Sequence, residues 1–92
     1  MPLLRSVERQ IERLEGFKVA FLHHDGRDVR GDMHDLPSFD FARRLPDERT
    51  VADWIAIRFH ERYRGFDVAV LHVDGSRAHG NTLLGNVRAG YT

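Results

Sequence analysis

Leu3, Val7, Ile11 and Leu14 recur at steps of four, four and three, the spacing of one helical face. The pattern predicts an amphipathic helix near the N-terminus. Pro2 suits its first turn, where a missing N–H costs nothing. Gly16 follows as a residue able to take positive φ beyond the helix end. Val51, Ile55, Phe59 and Tyr63 form a second stripe, with Trp54 beside it. Thr50 and Asp53 read as the start of that helix, a capping box with Asp in place of the usual Glu. Gly65 closes it. The string Glu-Arg-x-x-Gly-Phe ends both helices, at Glu12–Phe17 and at Glu61–Phe66.

Each helix leads into a segment rich in β-branched and aromatic residues, Phe17–His24 and Phe66–Val73, and each segment meets Asp-Gly. Asp-Gly between such runs predicts a hairpin. Turn length decides which face is buried. A two-residue loop sets Phe21 against Arg30 and Val19 against Asp32. A three-residue loop, His24-Asp25-Gly26 with Gly26 left-handed, sets Phe21 against Val29, Val19 against Gly31 and Phe17 against Met33. The second register gives the cleaner apolar face and is preferred. It also fits the second half, with Val70 facing Ala78, Val68 facing Gly80 and Phe66 facing Thr82. Between the halves, Phe39 and Phe41 alternate with Asp40 and Ala42, which predicts a short edge strand bracketed by Pro37 and Pro46. The tail LLGNVRAGYT predicts the equivalent strand, with Gly85 as a bulge.

The two halves share more than grammar. Residues 16–31 read GFKVAFLHHDGRDVRG and residues 65–80 read GFDVAVLHVDGSRAHG, and nine of the sixteen positions are identical at an offset of 49. The expected fold is therefore α+β, an internal duplication of an αββ(β) unit. It would have one antiparallel sheet, two helices packed on one face and pseudo-twofold symmetry. The repeats would span about 1–49 and 50–92 of a single domain, 1–92. One half alone is too short to bury its own face.

Composition narrows the chemistry. Fourteen basic and fourteen acidic residues cancel, and neither half is a basic arm: residues 1–49 carry nine basic and ten acidic side chains, residues 50–92 five and four. Whole-chain attraction to nucleic acid or an anionic membrane is thereby weakened. The absence of cysteine excludes disulfides, thiolate metal sites and thiol catalysis. No apolar run reaches membrane-spanning length, and MPLLRSVERQ lacks the pattern of a signal peptide. Cytoplasm is the default location. Ser6, Ser38 and Ser76 sit in no nucleophile-elbow pattern. The glycines at 75, 80, 85 and 90 open onto no helix in a phosphate-cradling way. Arg30-Gly31-Asp32 spells an adhesion tripeptide that chance explains better.

His23 and His72 occupy equivalent repeat positions, and Asp25 and Asp74 follow at His-x-Asp spacing. If the strands meet about a pseudo-twofold, two imidazoles and two carboxylates suit Zn²⁺ or another divalent metal. The simpler reading packs each ring at the sheet rim. His34 and Asp35 add further ligand types. The outer sheet face would carry a small apolar centre, Ala20, Leu22, Ala69, Leu71, Val73 and Leu83, ringed by charge. Apolar patches with polar rims mark interfaces. The preferred expectation is a small non-enzymatic interaction or regulatory module. It would act through Leu22, Arg30, Leu71, Val73, Arg77 and His79, as a homodimer or with a protein partner. Two alternatives stand beside it: nucleic-acid binding through Arg30, Arg77, His79 and Arg88, and a metal-binding protein or small metalloenzyme using His23 and His72. No cofactor other than that divalent metal is implied.

Overall fold

The computed structural model describes residues 3–30 and 36–91, and gives a mixed helix and strand fold. The elements are α1 (Leu4–Glu15), β1 (Lys18–Leu22), α2 (Val51–Trp54), a π-helical turn continuing it (Ile55–Phe59), β2 (Asp67–Leu71) and α3 (Leu84–Ala89). The sheet is a two-stranded antiparallel ladder of β1 and β2.

The ends of α1 and α2 follow from local chemistry. Gly16 takes φ of 84° and its N–H reaches Glu12 O, closing α1 in the left-handed manner that glycine permits. Thr50 accepts from Asp53 N–H and Asp53 accepts from Thr50 N–H, so the capping box forms in full. The next free donors of α2 are taken by a distant strip of chain. Val51 N–H reaches Thr82 O at 2.9 Å and Ala52 N–H reaches Gly80 O at 3.0 Å. After Trp54 the helix widens, and His60 N–H bonds to Ile55 O. The wider turn places Trp54 and Phe59, five residues apart, together in the core, while Ile55 is only partly buried.

The ladder runs Lys18↔Leu71, Val19↔Val70, Ala20↔Ala69, Phe21↔Val68 and Leu22↔Asp67. Its central pair, Ala20 and Ala69, is separated by the same 49 residues as the repeated strings. Alternation divides the ladder into two faces. Phe17, Val19, Phe21 and Val70 join the core, along with Leu4, Val7 and Ile11 of α1, Val51 and Trp54 of α2, Phe59, Tyr63, and Leu84 and Val87 of α3. Phe21 packs edge-on to Phe59 and Tyr63, with ring centroids 4.9 and 5.1 Å apart. Phe17 meets Trp54 at 5.3 Å. Burying each such ring stabilises the fold by about 1.5–3 kcal/mol.

Both Asp-Gly turns adopt the three-residue loop. His23 N–H bonds to Arg27 O and His72 N–H to Ser76 O, each at 2.8 Å. Gly26 and Gly75 take φ of 91° and 89°. In each turn the aspartate caps the residue two ahead: Asp25 accepts from Arg27 N–H and Asp74 from Ser76 N–H. The expected register appears as the bridges Leu22↔Asp28 and Leu71↔Arg77.

Several expectations are corrected. The second hairpin is one bridge long, because residues 79–82 turn away and bond to the start of α2, so Val68–Gly80 and Phe66–Thr82 do not pair. The corresponding Val19–Gly31 and Phe17–Met33 pairs, His34, Asp35, the Arg30-Gly31-Asp32 string and Pro2 fall wholly or partly outside the described residues. Phe39 and Phe41 form no strand; Phe39 instead inserts into the core and its N–H is held by Gln10 Oε1 at 2.8 Å. The tail is helix α3, not a strand. Leu84, Val87 and Arg88 are its buried positions, which is helical spacing. Gly85 is no bulge: a Cβ there would lie 2.9 Å from Asp47 Cβ, so the residue permits close packing of α3 on the loop. Gly65 lacks the positive φ of Gly16, and the chain passes through turns from His60 to Arg62 instead.

Candidate interaction face

Leu22 and Ala69 are buried yet lie outside the core cluster, on the opposite face of the ladder. That face is organised in cross-strand rows. The bridge Leu22↔Asp28 and the pair Leu22↔Asp67 make one row, Asp28–Leu22–Asp67. The bridge Leu71↔Arg77 and the pair Lys18↔Leu71 make another, Arg77–Leu71–Lys18. Ala20 and Ala69 lie between. One end is therefore acidic and the other basic, about 14 Å apart for four residues of extended chain. At an offset of 49 the charges reverse: Lys18 corresponds to Asp67, and Asp28 to Arg77. Asp28, Lys18 and Arg77 are exposed, Asp67 and Leu71 are partly buried.

Each end has its own surroundings. At the acidic end His24 Nδ1 lies 3.3 Å from Asp67 Oδ2, and His60 Nε2 lies 3.9 Å from Asp67 Oδ1. The two imidazoles thus approach different oxygens. Glu8, on α1, accepts a hydrogen bond from Phe21 N–H at 3.2 Å. Burial pushes its carboxyl above the usual range, the Phe21 N–H opposes that shift, and the charge of Asp28 adds to it. At the basic end the Tyr91 hydroxyl closes the ladder, accepting from Lys18 N–H at 3.1 Å and donating to Leu71 O at 2.6 Å. A cleft of about 290 Å³ opens beside it, lined by Arg5, Glu8, Arg9, Glu12, Lys18, Val19 and Leu71. Among the described residues, Arg5, Arg9 and Lys18 form no ion pair.

The residues singled out in the sequence separate in space. Leu22 is shielded, Leu71 is partly open, and Val73, at 61% exposure, stands at the basic end against Gly90. Arg30, Arg77 and His79 are exposed, but Arg88 is buried, so it does not join them at the surface. His23 and His72 do not converge. They follow β1 and β2 at opposite ends of the ladder, about 20 Å apart along it. His23 packs near the ring of Phe66, centroids 6.2 Å apart. Among the described residues no three metal-ligating side chains gather around one point.

Arg88 belongs to a buried ionic cluster that sequence reasoning missed. Glu15 is fully buried, and its Oε1 accepts from Leu45 N–H at 3.0 Å and Arg88 Nη2 at 3.1 Å. Its Oε2 accepts from Arg58 Nη1 at 2.5 Å. Arg88 also donates from Nε to Glu15 O and from Nη1 to Asp47 Oδ1. Arg58 stacks over Phe41 at 4.5 Å. The alternation of Arg and Glu along α1 reads as a solvated helix face, yet Glu15 continues the spacing Leu4, Val7, Ile11 and sits on the buried stripe. That spacing was the available signal. The cluster ties α1, α2's extension, α3 and the loop before α2 together, away from the ladder's outer face.

No family model matches this chain, and neither a curated protein nor a solved structure is similar to it. Among the described residues, no helix is long and apolar enough to cross a membrane.

Proposed function

We propose that the chain is a small non-enzymatic interaction module, a duplicated helix–strand–hairpin unit whose ladder presents its outer face to a protein surface. In this reading residues 1–49 and 50–92 are two copies of one unit, related by a pseudo-twofold axis through the Ala20–Ala69 pair. The matching Asp-Gly turns and the register about residues 49 apart support it. The observation that carries the functional reading is the outer face itself: an apolar centre bracketed by one acidic and one basic row, on the side of the ladder that the core does not use. Opposed charged rows of this kind fix the register of a docked partner and favour encounter more than they add raw affinity. The buried ion cluster serves the fold, since Glu15 and Arg88 are both turned away from solvent.

A photo-crosslinking residue placed at Val73, on the basic end of the face, tests this in expressing cells. Ile57, at 47% exposure, is an apolar control on the π-helical turn. Adducts at position 73 that are lost with Leu71→Arg, and absent from position 57, are expected. Equal labelling at both positions, or none at 73, would overturn the reading.

A further inference from the structure

The acidic row of one copy is complementary in charge to the basic row of another. We infer that the partner of the outer face is a second copy of this chain, docked ladder to ladder with strand directions reversed so that Asp28 and Asp67 of each copy meet Lys18 and Arg77 of the other. The inference rests on the reading of the face given above and adds the identity of its occupant. A twofold axis lying between the faces and across the strands superposes the acidic end of one copy on the basic end of the other, and by symmetry makes the same contact twice. The opposite arrangement sets like charges together at both ends. The net charge of zero means two copies have no overall repulsion to overcome.

The cleft fits the same arrangement. Among the described residues Arg5, Arg9 and Lys18 form no ion pair, and they line the cleft together with Val19 and Leu71. Glu8 and Glu12 line it too, so the cleft carries charge of both signs. The contact is small. A face five residues long and four extended segments wide covers on the order of 300 Å², against about 800 Å² per partner in a standard interface. Leu22 and Ala69 are already shielded within one copy, which leaves charge rather than new apolar burial to set the pairing. The dimer is therefore weak and salt-sensitive.

The test uses two double variants, K18E/R77E and D28K/D67K, examined with the wild type by sedimentation at low salt. The wild type associates reversibly; each double variant alone associates on the order of tenfold more weakly or worse. An equimolar mixture of the two variants recovers association as a heterodimer. If a double variant does not fold, K18E and D67K singly and mixed give the same readout. A wild type that stays monomeric at every attainable concentration overturns the inference, as does a dimer that neither variant weakens or that mixing does not restore. Failure here with specific adducts at position 73 to another protein leaves the face reading intact; failure of both removes it.

Discussion

Replacing Glu15 with alanine would leave Arg58 and Arg88 facing each other without the carboxylate they share. Buried ion pairs add little net stability over apolar packing, but removing one partner strands the others, at a cost of about 3–5 kcal/mol. Glu15→Ala is therefore expected to lower unfolding free energy in urea by that amount, and a loss below about 1 kcal/mol would show that the cluster is not desolvated. Glu8 behaves differently. Its folded-state carboxyl titrates above the usual value of 4.5 because burial disfavours the charged form. The stability this group contributes is present below pH 4.5 and is lost as pH rises through the raised value. Glu8→Gln keeps an acceptor for Phe21 N–H and removes the ionisation. Its urea midpoint should exceed that of the wild type near neutral pH and converge with it in acid. A difference that does not vary with pH would contradict this assignment.

The turns and caps are the elements most open to direct comparison. Gly26 and Gly75 occupy the same left-handed conformation with open space around them, so an added methyl meets strain and no clash. Gly26→Ala and Gly75→Ala should each cost about 1–2 kcal/mol, and unequal costs would argue against equivalent turns. Thr50→Ala removes half of the capping box and should cost about 1 kcal/mol in thermal unfolding. These features were legible in the sequence because each depends on neighbours within a few residues. Thr50 and Asp53, Gly16, and the three-residue turns are of that kind. What escaped depended on distant partners. The return segment at 79–82 leaves the ladder because Gly80 and Thr82 carbonyls take the free donors of α2. The tail is a helix because Leu84, Val87 and Arg88 share a buried face, a period that β-propensity arguments overlooked. Glu15 looked like part of a solvated Arg/Glu face until Arg58, Arg88 and Leu45 were brought to it from far along the chain. The candidate face was half legible. Period-two alternation named Leu22, Leu71 and Arg77, but only the pairing of β1 with β2 brings Lys18, Asp28 and Asp67 beside them as an acidic row and a basic row.

For the whole molecule, the proposed duplication and the proposed dimer are linked. Under the proposed duplication, a pseudo-twofold through Ala20–Ala69 would put equivalent residues at opposite ends of one ladder, and the reversal of charge at an offset of 49 would turn that symmetry into polarity. Raising salt is expected to dissociate the dimer without unfolding the chain, since the rows are largely exposed whereas the core and the Glu15 cluster are buried. Lys18 is the chain's one lysine, which permits an unusually direct measurement. Purified protein, mixed from isotopically light and heavy batches, is treated with a zero-length carboxyl–amine crosslinker at low salt, and the linked peptides are read by mass spectrometry. The account predicts mixed-isotope links from Lys18 to Asp67 or Asp28 of another copy, diminishing as salt rises. Links from Lys18 confined to single-isotope pairs would contradict it.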